Sequence, residues 1–62
     1  MDEESINMLE MVERTKRDVI RLFGLREIAT DEEARMYLRK IYENLNIAKR
    51  YILEGRYVRT IE

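Results

Sequence analysis

Any chemistry performed by this chain has to come from carboxylates, hydroxyls and amines, because the sequence contains neither histidine nor cysteine. Those two residues supply most side chains that titrate near neutrality or attack as strong nucleophiles. The run Asp31-Glu32-Glu33 offers carboxylates for acid–base work, but successive residues at a helix start project in different directions. Capping and complementation of the helix dipole account for it. Ser5 lies in an acidic segment without a base of the usual kind nearby. Carboxylate-bridged di-metal bundles need a Glu-x-x-His element, which this composition forbids. The sequence therefore predicts a non-enzymatic protein with no catalytic, cofactor or metal site.

Binding chemistry has more material. Arg14, Arg17 and Arg21 share one face of a first helical segment, Arg26 follows it, and Arg35, Arg39 and Lys40 open a second segment. Brought side by side in a dimer, they would present a positive surface to phosphates, with Tyr37 and Tyr42 available for stacking. Asp18, Glu27, Glu32 and Glu43 are interleaved with them, the pattern of a solvated helix face. The whole chain carries 12 basic and 13 acidic residues, a balance unlike the basic excess of a general nucleic-acid binder. Met36, Ile47 and Tyr51 lie on the otherwise polar face of the second segment, either as scattered exposed apolar residues or as a docking stripe for another protein.

The elements that position these residues are two helices. Residues 3 to 23 read as the first, with Met8, Leu9, Val12, Val19, Ile20, Leu22 and Phe23 on its apolar side and Gly24 as a left-handed closing residue. Residues 24 to 30 form a loop. Thr30 to Glu33 has the form of a capping box, with Thr30 as the N-cap of a second helix over residues 31 to 54 that stops at Gly55. Each helix would be about 30 Å long, so a short loop makes them an antiparallel hairpin. Residues 55 to 62 form a tail, read as ordered but irregular, with a short strand, an extended segment laid on a partner or a further helical turn as alternatives.

The second helix carries Ala34, Leu38, Ile41, Leu45, Ala48 and Ile52 at alternating spacings of four and three, a heptad seam. An antiparallel register then pairs Leu22 with Ala34, Val19 with Leu38, Thr15 with Ile41, Val12 with Leu45, Met8 with Ala48 and Ser5 with Ile52. Large faces small in most layers, which fills space. Thr15 is expected to bond to a carbonyl one turn back. Lys16 falls inside the apolar arc, where it either snorkels from the interface edge or fixes register as a polar seam residue. Pairs one turn apart, Glu10 with Arg14, Glu13 with Arg17 and Asp31 with Arg35, are expected on the surface.

The apolar arcs are wider than one neighbour can cover. A chain of 62 residues also buries little core alone, and without cysteine or histidine its ordinary remedy is oligomerisation. We therefore expect one all-α hairpin domain over residues 1 to 62 that forms a homodimeric four-helix bundle. Its self-association interface would draw on Met8, Val12, Val19, Phe23, Leu38, Ile41, Leu45 and Ile52. Residues 1 to 13 carry five acids and no base, whereas residues 14 to 26 carry five bases and one acid. First helices packed antiparallel in the dimer would set these halves against each other, although dipole compensation within one helix explains the same pattern.

The acidic N-terminus is unlike a secretory signal and no apolar run is long enough to span a membrane, so the expected location is the cytoplasm, with no membrane partner. Nine arginines against three lysines, with few thermolabile residues, are compatible with a hot-growing source. Length, the Asp31-Glu32-x-Ala34 helix start and the Ala/Leu seam make the architecture resemble the small RNA-binding hairpins of plasmid copy control, which dimerise into four-helix bundles. That resemblance carries no diagnostic site residue. Leu25-Arg26-Glu27-Ile28-Ala29 superficially suggests a DNA-reading helix-turn-helix, but helices exceeding twenty residues and a seven-residue connection fit it poorly. The expected function is that of an oligomerisation or adaptor protein acting through protein contacts. A nucleic-acid-binding regulator is the alternative, and an accessory subunit completing a partner's active site is a third class.

Overall fold

The computed structural model describes residues 2 to 55. Three helices follow one another: α1 (Glu3–Phe23), α2 (Arg26–Ala29) and α3 (Glu32–Leu53). The long helices have the extents expected from their apolar period. Their ends are set by particular caps. Asp2, in extended conformation, accepts a hydrogen bond from the Ser5 backbone N–H at 2.8 Å, and Glu3 and Glu4 in the first turn complement the positive end of the helix dipole.

Three local expectations are corrected at the turn. Gly24 does not enter the left-handed region: at φ −83° it continues the chain in a tight turn, its N–H donating to the Arg21 carbonyl at 3.0 Å. The loop contains the single helical turn α2, because Leu25 is extended (φ −72°, ψ 139°) and resets the chain direction before Arg26-Glu27-Ile28-Ala29 coils again. Thr30 is consequently the last residue of that turn, and its hydroxyl donates back to the Arg26 carbonyl at 3.2 Å. The backbone of Thr30, at φ −100° and ψ 5°, lies outside the extended conformation of an N-cap residue. Asp31 caps α3 instead, accepting from the Ala34 N–H at 3.1 Å. At the other end Glu54 closes α3 and Gly55, where the helix was expected to stop, takes the left-handed conformation at φ +68°. The expected tail beyond Gly55 lies outside the described residues.

Side-chain contacts between α1 and α3 show the antiparallel hairpin directly. Phe23 meets Arg35, Lys16 meets Tyr42 and Glu13 meets Lys49, so partners climb α3 as they descend α1. The molecule measures 41 × 22 × 16 Å along its principal axes, one helix length by two helix widths. Among the described residues Val19, Leu38 and Ile52 are the buried apolar ones, and Ser5 is buried as well. Val19 and Leu38, and Ser5 and Ile52, expected to meet in two layers of the seam, are all buried.

The centre of the seam differs from expectation. Ile41 is 44% exposed and Thr15 is exposed too, its hydroxyl spent on the Met11 carbonyl at 2.8 Å as foreseen. Lys16 and Tyr42 take their place, each one residue further along. Near the turn the same displacement brings Phe23 inward and leaves Leu22 exposed. The contact line of the hairpin is therefore rotated away from the middle of the apolar arcs. Averaging an arc finds its mean direction, which coincides with the contact line only when a single neighbour covers the whole arc.

Candidate functional site

This rotation gives the hairpin two unlike sides. Each residue turns the helix by about 100°, and the two helices run in opposite directions, so the flank just before the contact line in α1 and the corresponding flank of α3 lie on the same side. That side carries Met8, Met11, Thr15 and Leu22 of α1 beside Tyr37, Ile41, Ala48 and Tyr51 of α3. Met11 is 63% exposed and Tyr37 59%. Asn44 is the polar residue within the α3 stripe, and Glu4, Asp18, Glu33 and Lys40 stand at the rim.

The opposite side carries the charged contacts. Nζ of Lys49 reaches Oε2 of Glu13 at 2.6 Å, and Nζ of Lys16 stands 3.9 Å from the same oxygen. That oxygen is shielded from solvent. The Lys49 contact holds the Glu13 carboxyl below the ordinary glutamate range; partial burial opposes this, while the positive charges of Lys16, Lys49 and Arg17 reinforce it. Glu13, expected to pair with Arg17 one turn on, is engaged across the hairpin instead. The Lys16 side chain is only 13% exposed, its stem along the helix contact and its ammonium 5.3 Å from the centre of the Tyr42 ring. Both sequence readings of Lys16 contain part of this: the stem is buried, and the charge sits at a defined level of the seam. Ile6 and Ile20 are also exposed on this side, but Glu10, Glu13 and Arg17 break up any apolar surface there.

The residues expected to self-associate are divided by this geometry. Val19, Leu38 and Ile52 are buried within the hairpin, while Met8, Val12 and Leu45 are half-buried along the groove that borders the apolar side. Ile41 lies fully on that side. Phe23 is half-buried beneath the Arg35 guanidinium at 5.4 Å, on the charged side. Met11 and Asn44 were missed as members of the face, while Tyr37 was counted in the wide apolar arc of the second helix but not in the interface. The spacing of Met11 from Met8 and Thr15, and of Asn44 from Tyr37 and Tyr51, was the available signal, and it reads out only once the contact line is known.

The basic residues are not gathered by one hairpin. Arg14, Arg17 and Arg21 lie on the part of α1 turned from α3, Arg21 in an exposed pair with Asp18 at 3.7 Å. Arg26 is on α2, Arg35 is occupied by Phe23, and about 100° separates Lys40 from Arg39 around α3. Met36 and Ile47 are exposed on the outer surface of α3, with Tyr51 at its boundary with the apolar face. An open depression beside Met36 is lined by Glu32, Glu33, Arg35 and Arg39, charges of both signs. Among the described residues no group of three or more carboxylates is placed to hold a metal ion, and no helix is long and apolar enough to cross a membrane. Comparison with known protein families, curated proteins and solved structures finds no significant match to this chain.

Proposed function

We propose that the protein is a non-enzymatic assembly module, a helical hairpin that self-associates through its uncharged side into a four-helix bundle of two chains and acts as an oligomerisation or adaptor protein. The observation that carries this is the pairing of a continuous apolar face with a thin core. The three buried apolar side chains among the described residues contribute only ~1.5–3 kcal/mol each, little against the conformational entropy of ordering them. Covering Met11, Tyr37 and Ile41 would supply the missing burial. The charged side, with its ion pair and cation–π contact, is already satisfied within one chain.

Sedimentation across a concentration series tests the proposal. Dimers at micromolar concentration, lost together with helicity when Leu45 is replaced by Asp, are the expected result. A folded monomer at all concentrations overturns it. The alternative of a nucleic-acid-binding regulator would appear in the same samples as RNA or duplex DNA binding that weakens steeply with salt and disappears when Arg17, Arg21 and Arg39 become Glu.

A further inference from the structure

We infer that the second copy docks antiparallel, with its turn at the opposite end of the bundle, so that α3 lies against α3 and α1 against α1 about a two-fold axis passing beside Asn44. This rests on the self-association just proposed and specifies its geometry. Two independent patterns locate the axis.

The first is the exposed stripe of α3. Tyr37, Ile41, Asn44, Ala48 and Tyr51 are spaced four, three, four and three, and the stripe is nearly the same read in either direction. Laid antiparallel on a second copy of itself about Asn44, it sets Tyr37 against Tyr51, Ile41 against Ala48 and Asn44 against Asn44, each matched to within one residue of helical rise. Aromatic meets aromatic, large meets small, and the carboxamide meets a group that both donates and accepts hydrogen bonds as it does. A buried polar residue of this kind at a single seam position selects register and partner number.

The second pattern is the charge of α1, whose sign reverses between Glu13 and Arg14. An antiparallel α1 pair with its axis at that reversal brings the acidic half of each helix level with the basic half of the other, the charges lying around the apolar contact rather than within it. The observed contact of Lys16 with Tyr42 brings the two patterns to one height, because two residues back along α1 and two residues on along α3 put Arg14 level with Asn44. One axis perpendicular to the helices therefore satisfies both. The other two-fold arrangement, with both turns at one end, sets α1 against α3, places Asn44 beside Thr15 and collects both basic halves at the same end.

Single cysteines introduced into this cysteine-free chain distinguish the arrangements. Oxidised under mild conditions, Asn44→Cys is expected to form a disulfide-linked dimer nearly completely, because the paired Cα atoms fall within the ~7 Å reach of a disulfide. Thr15→Cys, close to the axis on α1, should do the same and serves if the first variant does not fold. Arg39→Cys, on the charged side, should not. Wild-type dimers in sedimentation without either cross-link, or a mixed disulfide between Thr15→Cys and Asn44→Cys chains with no Asn44 homodimer, would overturn the antiparallel arrangement and leave self-association standing. A wild-type monomer would overturn both.

Discussion

The ammonium of Lys16 lies over the ring of Tyr42, 5.3 Å from its centre, at mid-height of the hairpin where the pairing of Thr15 with Ile41 was expected. A charge held there is stabilised by the ring face and by Glu13, yet gives up part of its hydration. Lys16→Met keeps the buried stem and removes the charge, while Glu13 keeps Lys49. The expected outcome is a more stable hairpin by ~1 kcal/mol, a rise of about 4–8 °C in midpoint for a chain this small. Thermal unfolding at fixed chain concentration measures it, and a lower midpoint would show that the cation–π contact outweighs the desolvation cost.

The glycines predict opposite signs. A Cβ at Gly24 would meet the Arg21 carbonyl at an ordinary 3.4 Å, and its φ of −83° suits any residue, so Gly24→Ala should stabilise by about 0.4–1 kcal/mol through the unfolded chain. Gly55 has open space but φ +68°, so Gly55→Ala should destabilise by about 1–2 kcal/mol from backbone strain alone. Urea midpoints moving in the same direction for both would contradict the assigned conformations.

Capping separates Thr30 from Asp31. Asp31→Ala removes the acceptor for the Ala34 N–H and should cost ~1 kcal/mol, and Asp2→Ala should cost about the same at the start of α1. Thr30→Ala loses only an exposed hydroxyl bond to a carbonyl and should stay within about 0.5 kcal/mol of wild type. Denaturant titrations of the three variants decide the matter, and a Thr30 cost exceeding that of Asp31 would restore the capping box.

Glu13 predicts the acid limb of stability. Its carboxyl is held below the ordinary glutamate range, first by Lys49, so the folded state binds its proton less readily than the unfolded chain. The stabilisation is fully present above the ordinary glutamate value and is lost as pH falls through the depressed one. Glu13→Gln should flatten this part of the profile and leave the neutral-to-basic part parallel to wild type. Unchanged pH dependence in the variant would place the acid sensitivity elsewhere.

Much of the scaffold was legible because it follows from period and punctuation: both long helices, their antiparallel sense, and the burial of Val19, Leu38 and Ile52. The details of the turn were not, for reasons specific to it. Thr30 and Asp31 are adjacent candidates for one cap, and only the presence of α2, which uses up Thr30, decides between them. Leu25 to Ala29 contains no glycine or proline, and such a run is compatible with coil or with a turn of helix until Ile28 finds partial burial. The exchange of Thr15 and Ile41 for Lys16 and Tyr42 had a different origin. A hydrophobicity pattern scores lysine as polar, although its stem is apolar and its charge has a ring to rest on. The apolar face was legible as surplus arc width; its side and membership required the contact line.

The contacts from Phe23–Arg35 through Lys16–Tyr42 to Glu13–Lys49 are ordered by increasing loop length, and this sets a kinetic sequence. Closure entropy is smallest at the turn, so the hairpin should zip from α2 outward on the microsecond scale of helix formation and loop closure. Opening should run in reverse, with the Ser5 and Ile52 end exchanging amide hydrogens first and the residues flanking α2 last.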